Sequence, residues 1–309
     1  MKLLVVGAGG QVGERLAREA VDRGHTVVGT YRSRPPRVKM EAAVVLDKTD
    51  ASSVAEVFSK FRPDAVVDTG ALHNVDYCET HVDEAMAVNA RGSQNLATKS
   101  GELGAQFVFI STDFVFDGVG APYTEESVPN PLSVYARSKL EGERLALEAN
   151  PGKTIIVRPA VIYSWVSNSG ATQSSSGKPL NFAAWLVSQL LAGKETKVVQ
   201  DQVTSPTLAS DLAGAILALL AGEKSGLFHA AGSSALSRYE FSVKVAAKLN
   251  LNKALIHPIE SSELKQLAKR PSNSSLVSDK IKRELGYQML DIDMALDVFA
   301  RESRAGLTS

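Results

Sequence analysis

Residues 7–13 read GAGGQVG, directly after the apolar run KLLVV (2–6) and directly before a helical pattern. Four glycines in seven residues constrain the fold more than any other stretch of the chain. Glycine weakens strands and helices alike, so it collects where the backbone turns sharply or where something comes close to it. Gly7, Gly10 and Gly13 form a GxxGxxG spacing, with Gly9 in addition; a GxGxxG pattern would need its last glycine at 12, where the chain has Val12. Gly7 lets the strand end turn, Gly10 brings backbone N–H groups against a pyrophosphate at a helix N-terminus, and Gly13 lets helix and strand pack closely. A tight turn that binds nothing is the alternative, but a position inside a strand–helix unit favours a nucleotide. Gly7, Gly10, Gln11 and Val12 are therefore candidate cofactor contacts.

The rest of the chain supports such a unit. KLLVV (2–6), TVVG (26–29), AVVL (43–46), AVVD (65–68), FVFI (107–110) and TIIVR (154–158) read as strands without polar–apolar alternation, which suits a parallel sheet covered on both faces. Helical patterns lie between them at 11–23, 51–60, 83–101 and 133–149. This alternation predicts an α/β fold, a Rossmann-like doubly wound parallel sheet. We expect a nucleotide-binding domain over 1–160 and a smaller C-terminal substrate-binding lobe over 161–309, with 197–231 as a segment that could return to the first domain. Helices are expected at 181–193, 209–222, 238–249, 278–286 and 291–302. The Ser/Gly-rich stretch 164–179 is expected as a loop.

Composition excludes several classes. The 309 residues carry 34 acidic and 34 basic side chains, so no basic excess points to nucleic acid. One cysteine, Cys78, rules out an internal disulfide, and five scattered histidines show no metal-ligand spacing, so no metal is expected. The opening apolar run is too short for a signal-peptide core, and LAGAILALLAG (212–222) is too short to span a bilayer. A soluble, cytoplasmic protein without membrane association is expected.

Dinucleotide sites for NAD carry an acid near the end of the second strand. Here TVVGTYRSRP supplies Arg32, Ser33 and Arg34 instead, a set suited to the 2′-phosphate of NADP or else to a solvated turn. Asp47, after the third strand, either reaches the adenine or caps the next helix. Ser111 and Thr112 follow the strand FVFI, and Tyr135 and Lys139 stand four apart in a helical pattern, on one helix face. An ammonium beside a phenol lowers its pKa, and such a tyrosine exchanges a proton with a carbonyl oxygen as hydride is transferred. A hydroxyl of Ser111 or Thr112 would polarise that carbonyl.

These residues carry a resemblance. STDFVFDG (111–118), PYTEES (122–127) and NPLSVYARSKLEGE (130–143) resemble the extended short-chain dehydrogenase/reductases, and among them the dTDP-4-dehydrorhamnose reductase family. VDYCE (75–79), VNARGSQNLA (88–97), DQVTSPT (201–207) and KRPSNSSL (269–276) extend the likeness over most of the chain. The resemblance implies NADPH-dependent reduction of a nucleotide-linked 4-keto-6-deoxy sugar and is compatible with a homodimer. It implies Tyr135 as general acid, Lys139 on the nicotinamide ribose, and Thr112 on the substrate, with Ser111 and Asp113 beside it. Thr69, Gly70 and Ala71 would lie along the cofactor, and Asn89 near the active site. Arg270 and Asn273 would sit beside the sugar nucleotide or serve as packing residues.

Departures stand beside these matches. Val161 in RPAVIY takes the place of a family tryptophan near the sugar, and His73 and Asn74 differ from the stretch expected before VD. The regulatory beta subunit of methionine adenosyltransferase is similar to the same branch, so a nucleotide-binding regulatory subunit is the alternative reading. Epimerisation or dehydration of a sugar nucleotide is a weaker one, since Asp113 and Glu125–Glu126 do not form the expected acidic pair. Cys78, His229 and His257 read as structural, Trp165 and Trp185 as core, loop-anchoring or stacking residues, and EGE (141–143) as a solvated face.

Overall fold

The computed structural model of the chain describes residues 1–165 and 181–307, with the side chains of 304–307 not described. Most of the loop expected at 164–179 thus lies outside the described residues. Seven parallel strands form one sheet: β1 (Lys2–Val6), β2 (Thr26–Tyr31), β3 (Ala42–Val45), β4 (Ala65–Asp68), β5 (Gln106–Ile110), β6 (Thr154–Arg158) and β7 (Gly226–His229). Their order is β7-β6-β5-β4-β1-β2-β3, the doubly wound arrangement in which strand order reverses between β1 and β4.

Successive residues of each strand feed opposite layers, which is why these strands read as unbroken apolar runs. Leu3 and Val5 pack with Leu16, Ala17 and Ala20 of the helix Gln11–Asp22 and with Leu212 and Ile216 of the helix Ala209–Ala221. Leu4 and Val6 pack with Val54, Val57 and Phe58 of the helix Ala51–Phe61 and with Leu96 and Ala97 of the helix Gly92–Glu102. Burying each large side chain contributes about 1.5–3 kcal/mol. The longest apolar stretch of the sequence lies in the helix Ala209–Ala221, buried on nearly every face. Among the described residues no helix is long and apolar enough to cross a membrane.

A third cluster lies beyond the strand ends and joins Tyr163, Leu186, Val187, Phe241, Val245 and Phe299, with Trp165 and Trp185 packed against it. Here Thr196–Val199 pairs with Ile256–Ile259. The helix expected at 209–222 does not join this cluster: it lies against the first helix on the sheet, followed directly by β7. Ile281, from the pattern at 278–286, also packs on the sheet. The helix expected over 83–101 is two α-helical pieces, Val82–Met86 and Gly92–Glu102, joined by a π-helical turn, Ala87–Arg91.

Candidate active site

The loops leaving β2, β1, β4, β5 and β6 line a single cleft of about 720 Å³ at the C-terminal edge of the sheet. Its wall runs in sheet order from Arg32 and Ser33 past the glycine loop, Thr69–Ala71 and Ser111–Thr112 to Val161, with Tyr135, Lys139, Phe182 and Arg238 completing it. Open α/β sheets place ligands at such a switch point.

The end beside β1 and β2 is built from backbone. Gly7 has φ +80°, and its carbonyl accepts from the Gly10 N–H at 2.9 Å. That bond occupies the Gly10 N–H, and the start of the helix, which begins at Gln11, lines the same cleft. A Cβ at Gly13 would stand 2.4 Å from the Gly7 carbonyl oxygen, and one at Gly9 would stand 2.0 Å from the Arg34 oxygen. Arg34 donates through Nε to the Gly9 carbonyl at 2.9 Å and so braces the loop, while Arg32 and Ser33 stand exposed at the cleft. Asp47 also lines the cleft. Hydrogen bonds from the Thr49 hydroxyl (2.7 Å) and amide (2.9 Å), and then the nearby Arg32, hold its carboxyl below the usual range. It is not the cap of the next helix, since Asp50 accepts from the Ser52 amide there. Lys48, which the sequence reading passed over, is buried with Nζ 2.7 Å from Asp68 Oδ2 and 2.6 Å from the Gly70 carbonyl, and it fixes the Thr69–Ala71 segment.

At the middle of the cleft Ser133 caps the helix Val134–Ala149, accepting from the Ala136 amide, and this helix presents Tyr135 and Lys139. The Thr112 hydroxyl neighbours the Tyr135 hydroxyl while donating to Asp113, and the ring of Phe114 meets Tyr135 edge-on at 6.4 Å. The expected effect of Lys139 on Tyr135 is absent. Burial, with Asp113 nearby, pushes the phenol up, and Lys139 is itself brought down to about 7 by burial and then by Lys48. Its Nζ sits 3.9 Å from the centroid of the Phe109 ring and makes no hydrogen bond among the described residues.

Several expected contacts are redirected. The Ser111 hydroxyl donates to Glu143, which forms a buried ion pair with Arg158 through Nε (2.8 Å) and Nη2 (2.6 Å), so Thr112 is the hydroxyl facing Tyr135. Glu143 is thus no solvated residue. It follows Tyr135 and Lys139 by another helical turn, and that i, i+4, i+8 spacing was a legible signal. Asn89 is fully buried and away from the cleft wall. Its amide donates to Leu72 O and Ser138 Oγ and accepts from the Leu72 amide, pinning the cleft segment to the Tyr135 helix. Arg270 is likewise not a wall residue: it grips Asp76 at 3.1 and 2.9 Å. Asn273 accepts from Ser275 and shapes its own turn.

Asp113 does line the cleft, and burial pushes its carboxyl up. It accepts from Thr112 (3.1 Å), Thr204 (3.3 Å) and Ser274 (2.5 Å), so the motifs STD, DQVTSPT and RPSNSS meet on one side chain. Val161 lines the cleft at φ +38°, a left-handed conformation that costs a β-branched residue strain of order 1–3 kcal/mol. Phe182 and Arg238 are wall residues that carried no motif. Cys78 is buried, its thiol pushed up to about 11 by burial, and His229 is brought down to about 3 by burial and by Arg158. Among the described residues no cluster of side chains could hold a metal.

Sheet order, glycine turn and the Thr112–Tyr135–Lys139 group define an extended short-chain dehydrogenase/reductase. The chain belongs to the family described as RmlD substrate binding domain, whose model matches residues 1–304. It is 33% identical over 308 residues to a dTDP-4-dehydrorhamnose reductase of Aggregatibacter actinomycetemcomitans, covering 96% of this chain and 97% of that protein. The crystal structure of dTDP-4-dehydrorhamnose reductase from Bacillus anthracis in complex with NADP superimposes with a TM-score of 0.85 at 29% identity, covering 97% of this chain and 99% of that one. The chain is also 31% identical over 297 residues to methionine adenosyltransferase 2 subunit beta of Bos taurus, covering 91% of this chain and 81% of that protein.

Proposed function

We propose that this protein is an NADPH-dependent reductase of a 4-keto-6-deoxy sugar carried on a nucleoside diphosphate, with Tyr135 as the general acid. The observation that carries the reading is the Thr112–Tyr135 contact, set in the same cleft as the glycine turn. The residues present fit the cofactor. Positive φ at Gly7 and the crowding that a Cβ at Gly13 would cause make a cradle for a pyrophosphate at the helix start. Gly7, Gly10, Gln11, Val12, Gly70 and Ala71 would hold the dinucleotide, with Asp47 on the adenosine half, Arg32 and Ser33 on the 2′-phosphate, and Lys139 on the nicotinamide ribose. When bound, NADPH supplies a hydride to the carbonyl carbon.

Thr112 and Tyr135 hold the carbonyl oxygen, and its developing negative charge takes the Tyr135 proton. Burial raises the phenol's pKa and so keeps that proton in place until the charge appears. Lys139, held near neutrality, gains its proton readily when anionic groups enter the cleft. The test is NADPH consumption with dTDP-4-keto-6-deoxy-L-mannose made in situ. Wild-type protein consumes NADPH, and Tyr135→Phe loses about a hundred- to ten-thousandfold in kcat with NADPH affinity retained. Turnover of Tyr135→Phe near the wild-type rate removes Tyr135 from the role.

The likeness to methionine adenosyltransferase 2 subunit beta supports a second reading, a regulatory subunit that binds NADP. Tight NADPH binding without turnover of any keto sugar, together with stoichiometric recovery of a larger enzyme from native lysate, would select it.

A further inference from the structure

Two arginines of the sequence could serve an anionic substrate, and the structure separates them. Arg270 has both terminal nitrogens committed: Nη1 and Nη2 bind Asp76, and Nη1 also binds the Ala268 carbonyl. Arg238 lines the cleft, its guanidinium carbon 5.1 Å from the centroid of the Phe182 ring, and its side chain makes no hydrogen bond among the described residues. Its place is rigid. It opens the helix Arg238–Lys248 directly after Ser237, which forms a capping box with Glu240, and its amide donates to the Gln202 carbonyl at 3.1 Å.

The nearest counter-charge does not satisfy it. Asp113 attracts Arg238, but its two oxygens already accept from Thr112, Thr204 and Ser274. A guanidinium carries five N–H donors in a planar fork, and Arg238, half-buried on the cleft wall, presents its fork to the cleft. Burial works against the charge of Arg238, and an arriving anion would offset that penalty. The fork matches phosphate oxygens two at a time.

We infer that Arg238 anchors the diphosphate of the sugar-nucleotide substrate, against a wall formed by Phe182. This rests on the sugar-nucleotide reading of the cleft, because the keto sugar itself carries no charge for an arginine to meet. The cofactor also bears phosphates. Its expected anchors, Arg32 and Ser33, follow β2, whereas Arg238 follows β7 at the opposite edge of the sheet order.

The test titrates dTDP alone into the full chain in the presence of NADP, and NADPH separately, for wild type, Arg238→Gln and Arg238→Lys. The Gln variant is expected to weaken dTDP binding about tenfold or more, with the Lys variant between, and to leave NADPH affinity unchanged and the thermal midpoint no lower than that of wild type. The KM for a sugar nucleotide should rise by the same factor, with kcat largely kept. The inference is overturned if Arg238→Gln binds dTDP as wild type does, if NADPH affinity falls in parallel, or if wild type binds no dTDP. Wild-type binding of dTDP without reduction of any keto sugar sinks the reductase reading instead, and the dTDP titration still decides Arg238.

Discussion

The two ends of the cleft are made of different materials. Beside β1 and β2 the wall is backbone: a positive-φ glycine, a helix start and a loop braced through the Gly9 carbonyl. Beside β5 and β6 it is side chains, several of them buried and charged, drawn from segments far apart in sequence. Backbone geometry serves a ligand part common to many proteins, whereas convergent side chains can be changed one at a time. The first end therefore tolerates no added atoms, and the second depends on charges staying matched.

The sharpest way to break this contrast is at Glu143. Glu143→Ala leaves Arg158 buried without a counter-charge and frees the Ser111 hydroxyl. A loss of about 3–5 kcal/mol in stability is expected by denaturant unfolding, and an unchanged midpoint would show that the charge is not needed. Lys139→Met tests the opposite sign. The folded-state pKa of Lys139 is brought from 10.5 to about 7, so its buried charge is a full penalty below pH 7 that fades as pH rises toward 10.5. The variant should be inactive yet more stable by about 1–4 kcal/mol at pH 6, with the gain shrinking at alkaline pH. A gain independent of pH would refute the assignment.

At the backbone end, Gly13→Ala puts a methyl 2.4 Å from the Gly7 oxygen. It should cost about 1–3 kcal/mol and abolish NADPH binding as followed by fluorescence, while retained affinity would mean that the turn relaxes. The smallest effect is expected at Arg32, which is exposed. Arg32→Ala should reduce the preference for NADPH over NADH about tenfold, read from the two Kd values.

The same contrast explains what could be read from the sequence. The glycine turn and the apolar strands are local, and local spacing carries them. The parallel β7 and the helix before it were harder to place, because only their packing on the first helix returns them to the sheet. Asp113 was visible as part of a motif, but not that Thr204 and Ser274, 91 and 161 residues later, would close on it. Arg238 stood in no pattern at all, since its meaning comes from hydrogen bonds it does not make among the described residues. Lys48 was hidden differently: a lysine between polar neighbours reads as solvated, yet Asp68, Ser93 and the Gly70 carbonyl hold it buried. Arg270 could be read either as a substrate contact or as a packing residue, because Asp76, which it grips, lies in a segment that nothing in the sequence joins to it.

The knot at Asp113 bears on how selectivity could change. The end of β5, the short strand Val203–Thr204 and the turn at Asn273–Ser275 are fastened to one carboxylate or to one another. A substrate slightly too large therefore pushes on three stretches of chain together, and the wall answers with their joint stiffness. Replacing one residue of that wall alters its outline but not its compliance. A broader sugar range would begin with a loosened fastening, such as Ser274→Ala, before any enlargement of the cavity.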